Sequence, residues 1–159
     1  MTTVAEYEPA PEYVWSANNS LAYTPRGMPP AAYPLLVHLL GRQEPGGRCL
    51  FTHDALAAEV EINRTQVTRG LQHLSFARMV LKEGNGVYRL NPMVAGFRTP
   101  TEQLQAIAAM DDNERIDHPD FQERYEKRLA QYEKEKEERA LLRKRPVEPP
   151  IDLAARRRR

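Results

Sequence analysis

THDALAAEV (Thr52 to Val60), EIN (Glu61 to Asn63), RTQVTRGLQHLSFAR (Arg64 to Arg78), MVLKE (Met79 to Glu83), GNG (Gly84 to Gly86) and VYRLN (Val87 to Asn91) form the stretch on which the fold turns. In its first piece Leu56, Ala57 and Val60 fall on one helical face, and Thr52 stands where a cap must serve unpaired backbone N–H groups. Ala57 is small enough for a second helix to cross closely. Ile62 fills the corner between the helices. Asn63 with Gln66 three residues on has the form of a capping box, so a second helix is expected over 63–78. Val67, Leu71 and Leu74 make its buried stripe. Gly70 lies beside that stripe at a cost of ~1 kcal/mol in helix propensity relative to Ala, which a close helix crossing would explain.

The opposite face of this second helix carries Thr65, Arg69 and Gln72, flanked by Arg64, Gln66, Thr68 and His73, and no acidic side chain. Such a face can approach phosphate. Arg can pair bidentately with guanine and Gln with adenine, while Thr reaches a phosphate or a thymine methyl. Arg64 and Thr65 also sit at the helix N-terminus, where the backbone favours an anion. His73 alone reads as a surface or core histidine. Asn85-Gly86 predicts a hairpin with a two-residue turn, both residues at positive φ, and that turn sets Lys82 directly across from Arg89, where like charges repel unless a phosphate lies between them. A three-residue loop, Gly84-Asn85-Gly86, would instead slip the register by one and send the two charges to opposite faces. Two helices in a tight turn followed by a hairpin predict a mainly α fold with a small β wing, a winged helix-turn-helix domain followed by C-terminal helices.

Working outward, Tyr33 to Leu40 is apolar almost all round, as suits a buried first helix with Pro34 in its first turn. Pro45-Gly46-Gly47 stops it, and Cys49-Leu50-Phe51 has the length of a small strand that pairs with the wing. The single Cys49 can form no internal disulfide and reads as a buried, inert thiol. Residues 1–28 show no period and are expected to be a flexible N-terminal arm, with Tyr13 and Trp15 able to pin it. The DNA-binding domain is expected over 29–98, a helical extension over 99–145, and a basic disordered tail over 146–159.

Within the extension, Thr99-Pro100-Thr101-Glu102 is a helix start, and Leu104, Ile107 and Ala108 form an apolar stripe. A second start at His118-Pro119-Asp120 opens a long helix to about Lys144. Its support comes from Asp120 with Arg124, Glu123 with Lys127 and Glu135 with Arg139 at four-residue spacing. Phe121, Tyr125, Leu129 and Tyr132 make a seam that fades before it satisfies three heptads. Two readings of the long helix stay open: a solvated, charge-stabilised helix, or, with the helix from Pro100, a homodimer contact carried by Leu104, Ile107, Phe121, Tyr125, Leu129 and Tyr132.

The net charge of +1 conceals segregation. Residues 48–98 carry a net +3, residues 99–142 a net −5 and residues 143–159 a net +5. The basic parts are those that phosphate contact would require. The four histidines have no metal spacing, no glycine-rich phosphate loop is present, and Cys49 has no base near it in sequence. No enzyme activity, cofactor, metal or small-molecule substrate is therefore expected. The longest apolar stretch, 31–40, is too short for a membrane span, and no leader precedes it, so a cytoplasmic location is expected.

From Leu56 through Gly96 the chain resembles the winged-helix domains of bacterial regulators, the MarR-like group among them, and most closely the RepL-type plasmid replication proteins. Leu56-Ala57, Ile62-Asn63-Arg64-Thr65, Val67-Thr68-Arg69, Leu71 and Leu74 carry the resemblance, with the ending Gly86-Val87-Tyr88-Arg89-Leu90-Asn91-Pro92 followed by Gly96. It implies sequence-specific binding to double-stranded plasmid, phage or bacterial DNA in the control of replication or transcription. Two departures stand out. Glu61 occupies a corner where glycine is common, and Phe76-Ala77-Arg78-Met79 replaces the usual Glu-Lys-Gly-Leu run. The rival expectation is a winged-helix scaffold that meets protein through its acidic C-terminal helices.

Overall fold

The computed structural model describes residue 16 and residues 18–144. Tyr13, Trp15 and the 146–159 tail lie outside the described residues. In chain order the elements are a 3-10 helix (Asn18–Tyr23), α1 (Ala32–Arg42), β1 (Arg48–Leu50), α2 (His53–Val60), α3 (Arg64–Phe76), β2 (Val80–Gly84), β3 (Val87–Leu90), α4 (Pro100–Ala108), a second 3-10 turn (Asp112–Glu114) and α5 (Phe121–Lys144). The fold is mainly helical, with one three-stranded antiparallel sheet of order β1-β3-β2.

The helix starts form where capping chemistry places them. Thr52 Oγ1 accepts from the Ala55 N–H at 3.1 Å, and Thr99 Oγ1 from Glu102 N–H at 3.2 Å. The box at α3 closes in both directions: Asn63 Oδ1 accepts from Gln66 N–H at 2.8 Å, and Gln66 Oε1 from Asn63 N–H at 3.0 Å. The corner before it is held by Glu61 at φ 57°, a left-handed conformation in which its N–H caps α2 at the Ala57 carbonyl. A glycine adopts that conformation at no steric cost, whereas a Cβ residue is strained there.

Two differences from expectation bear on the site. α3 ends at Phe76 rather than Arg78, because Arg78 turns left-handed at φ 60°. Arg78 N–H then bonds the Ser75 carbonyl and Met79 N–H the Leu74 carbonyl, both at 3.0 Å, which is a Schellman closure with arginine in the position usually held by glycine. Residues 18–28, expected as part of a flexible arm, are packed: Pro25, Met28 and Ser20 are buried, and the Tyr23 ring meets Phe121 edge-on at 5.5 Å.

One core joins these parts. Ala32, Leu35, Leu36 and Leu39 of α1 pack on Val67, Leu71 and Leu74 of α3, with Leu56, Cys49, Met79, Val80, Tyr88 and Leu90 around them. α1 is not buried all round, as Val37 and Tyr33 lie exposed. The reason for Gly70 is visible here: a Cβ on it would stand 2.5 Å from Leu35 Cδ1 and 3.4 Å from the Ala32 backbone. Burial raises the Cys49 thiol to about 11, with Glu44 adding to the effect, so it stays protonated and unreactive at neutral pH. The core continues through Met93, Val94, Ala95 and Phe97 to Ile116 and Tyr125 of the C-terminal region. Asn91 ties these segments together, donating to the Arg78 and Glu114 carbonyls at 2.9 and 2.8 Å and accepting from Met93 N–H at 2.9 Å.

α4 turns inward a face rotated from its expected apolar stripe, one that keeps Ile107 but not Leu104 or Ala108. Gln103 is buried and donates to the Pro92 carbonyl at 3.1 Å, whereas Leu104 is 67% exposed. No helix among the described residues is long and apolar enough to cross a membrane.

Candidate nucleic-acid interface

α3 lies with Val67, Gly70, Leu71 and Leu74 against the core, and this fixes which side chains turn outward. Arg64, Thr65, Thr68 and Arg69 are exposed and Gln72 is half-buried. Their environments differ. Arg69 makes no hydrogen bond or ion pair among the described residues. Arg64 reaches back to Asp54 at 3.4 Å, an exposed pair that costs little to exchange for another anion. Gln66 is held in the capping box, so its amide oxygen is already engaged.

Thr68 belongs to a relay that links the hairpin to α3. The Tyr88 hydroxyl stands 2.6 Å from His53 Nε2, His53 Nδ1 stands 2.9 Å from Thr68 Oγ1, and Thr68 donates to the Arg64 carbonyl at 3.0 Å. Donor counting orders the protons. Thr68 gives its proton to a carbonyl and so accepts from Nδ1–H, which leaves Nε2 to accept from Tyr88. Burial lowers the His53 pKa, and the charges of Lys82 and Arg64 lower it further, so the neutral tautomer is the ground state near neutral pH. Phe51 stacks on Tyr88 at 4.6 Å and completes the support. His53 and Tyr88 were not among the residues expected at the site, and their partners lie 15 and 35 positions apart in sequence, beyond any local pattern.

The hairpin corrects the expected pairing of Lys82 with Arg89. Lys82 stands opposite Tyr88, and Arg89 opposite Leu81, because a bulge between Lys82 and Gly84 shifts the register. Only Gly86 of the turn pair has positive φ, at 69°. The arrangement matches the slipped register, and opposite residues of an antiparallel pair share a face while neighbours alternate. Lys82 therefore shares the Tyr88 face, exposed beside His53. Arg89 is on the other face, where Arg48 stands opposite it and Glu83 binds it, one of the two contacts being 3.2 Å from Nη2 to Oε2. The Arg89 guanidinium holds the Glu83 carboxyl below its usual range. A phosphate gripped jointly by Lys82 and Arg89 is incompatible with this geometry.

The outward face of α3 forms one wall of a cleft of about 740 Å³. Arg64, Thr65, Thr68, Arg69 and Gln72 line that wall, Gly27 to Pro30 the floor, and Leu129, Tyr132, Glu133 and Lys136 of α5 the other wall. α5 is moored beside α3 by a buried hydrogen bond between His73 Nδ1 and the Tyr125 hydroxyl, 2.6 Å, and by Phe76 against Tyr132 at 5.3 Å between ring centres. Burial, then the Arg69 charge, lowers the His73 pKa.

That mooring engages the residues expected to form a dimer seam. Tyr125 is 2% exposed within its own chain, Phe121 packs on Tyr23, and Leu129, Tyr132 and Ile107 are half-buried against the same body. Of the six, Leu104 alone projects freely. Among the described residues no group of three or more His, Cys, Asp or Glu could hold a metal ion. No family model matches the chain, and neither a curated protein nor a solved structure matches it closely enough to count.

Proposed function

We propose that this chain is a winged-helix protein that binds double-stranded DNA sequence-specifically, reading the major groove with α3 and regulating replication or transcription of plasmid, phage or bacterial DNA. The observation that carries the reading is the outward face of α3: Thr65, Arg69 and Gln72 stand on a helix braced by the core, with no carboxylate among them. A reading helix must be held rigidly with its donors turned outward, and this one has that form, with Thr65 and Arg69 exposed and Arg69 without a partner among the described residues. The order helix, strand, helix, helix, hairpin supports a winged helix. Lys82, on the α3 side of the hairpin, is the wing cation in this reading, and Arg89 is not. Binding as a homodimer would set half-sites roughly 34 Å apart, and of the six residues expected to carry such a contact Leu104 is the exposed one.

The test compares the full chain with an Arg64→Ala, Arg69→Ala double variant on a fragment library from the surrounding genome, at two salt concentrations. A discrete site is expected, with preference over other fragments reduced roughly 5- to 150-fold for each arginine that pairs with a base. Uniform weak binding, removed by salt equally from both proteins, would refute sequence reading and favour a module that meets protein.

A further inference from the structure

α5 changes character halfway along. To Tyr132 its inward seam is aromatic and aliphatic, Tyr125, Leu129 and Tyr132, and from Lys136 to Lys144 every residue is exposed. The seam does not simply dissolve. At 100° per residue, Lys136, Arg139 and Arg143 fall within about 40° of Tyr132, as does Arg128, so the inward face continues as a line of cations. Glu123, Glu126, Glu133, Glu135, Glu137 and Glu138 all fall about 60° or more away. The segment with a net negative charge therefore presents a basic stripe bordered by Glu135, and that stripe begins at Lys136, which lines the cleft beside Glu133 and opposite Arg64 and Arg69.

Nothing in the chain's own described residues answers these cations except Glu135, which pairs with Arg139 at 3.5 Å in the open. A second copy of α5 laid along the same face would set cation against cation, which argues against a self-association seam. A polyanion is the partner that fits. A duplex docked on the outward face of α3 lies along the rim of a cleft whose far wall is α5, so its backbone comes within reach of this face.

We infer, resting on the DNA-binding reading above, that Lys136, Arg139 and Arg143 form a second phosphate-contacting surface, which grips the backbone of the duplex beside the groove that α3 reads. It adds affinity without adding sequence preference, since phosphate contacts carry no base information. α5 thus acts as a flanking clamp.

The test uses the full chain and a Lys136→Gln, Arg139→Gln, Arg143→Gln variant, with binding to a mixed-sequence duplex of roughly 30 base pairs, three helical turns, followed across a salt series. Circular dichroism checks that both proteins are equally helical, and a variant with Lys136→Arg, Arg139→Lys and Arg143→Lys keeps the charge. The slope of log K against log salt is expected to fall by about 2.7, or ~0.9 per lost contact, in the glutamine variant and to be retained in the charge-preserving one. Discrimination between a selected site and the mixed duplex should not change. An unchanged slope would overturn the clamp while leaving α3 as a reader, and tighter binding by the glutamine variant would make α5 an obstruction instead. Absence of duplex binding by the wild type would bring down the DNA reading itself, and capture of an acidic peptide by wild type alone would reassign the face to a protein partner.

Discussion

α3 and α5 both present a row of cations, on α3 with no carboxylate of its own and on α5 with Glu135 paired to Arg139, yet the two helices are held in opposite ways. α3 is capped at both ends, buried along one side and welded to the hairpin through Thr68, His53 and Tyr88. α5 is anchored over its first three turns and then runs on with no packing. The difference teaches what each can do. Reading a base edge requires donors fixed to a fraction of an ångström, which a core-backed helix supplies. Gripping a phosphate requires only charge within reach, which a projecting helix supplies at little cost to folding.

The largest break in this comparison comes from beneath α3. Gly70→Val would drive a branched side chain into Leu35 and the Ala32 backbone, and a loss of about 3 kcal/mol is expected from urea unfolding, as for an overpacked core. The three-glutamine variant of α5 should leave the urea midpoint where it is. Similar losses from both would mean that the far half of α5 is structural after all.

A smaller effect sharpens the junction between the two helices. His73, which bonds Tyr125, and His53, which bonds Tyr88, both have lowered pKa values, chiefly from burial. Each binds fewer protons folded than unfolded below its ordinary value of about 6.5, so stability is flat above that pH and falls as the pH drops through it. Urea midpoints at about pH 7.5 and 5.5 read this difference. His73→Gln should flatten part of the dependence, and an equal slope in the variant would remove His73 as a source. Glu83 and Asp117, whose pKa values are lowered by Arg89 and Arg115, act in the ordinary carboxylate range and are distinguished by that.

The smallest expected effect lies at the corner that aims α3. Glu61→Gly relieves a left-handed Cβ residue, and a gain of about 0.5–1 kcal/mol is expected after the added freedom of glycine in the unfolded chain is set against it. Thermal unfolding checks it. A loss would show that the Glu61 side chain contributes something beyond the turn.

Much of α3 was legible in its own residues. The Asn63 and Gln66 box, the Val67, Leu71 and Leu74 stripe and the outward Thr65, Arg69 and Gln72 depend on groups three or four positions apart, and such groups meet wherever a helix forms. The Thr52 and Thr99 caps were legible for the same reason. The hairpin was legible only as a hairpin. Whether Lys82 faces Arg89 or Tyr88 turns on a single bulged residue, and a one-residue slip exchanges the faces of the whole strand. The apolar positions of α5 were visible too, but not whether they meet a second copy or their own chain.

The sequence by itself determined the five α-helices, the Thr52, Asn63 and Thr99 caps, the corner between α2 and α3 and the chemistry of the exposed face of α3, because each rests on local spacing and side-chain type. Only the tertiary structure decided that Tyr125 bonds His73 across 52 positions, that Tyr88 supports Thr68 through His53, and that α5 closes the far side of the α3 cleft. These are contacts between distant segments. They are set by how the whole core packs, and no local period encodes which of several apolar surfaces a helix will find.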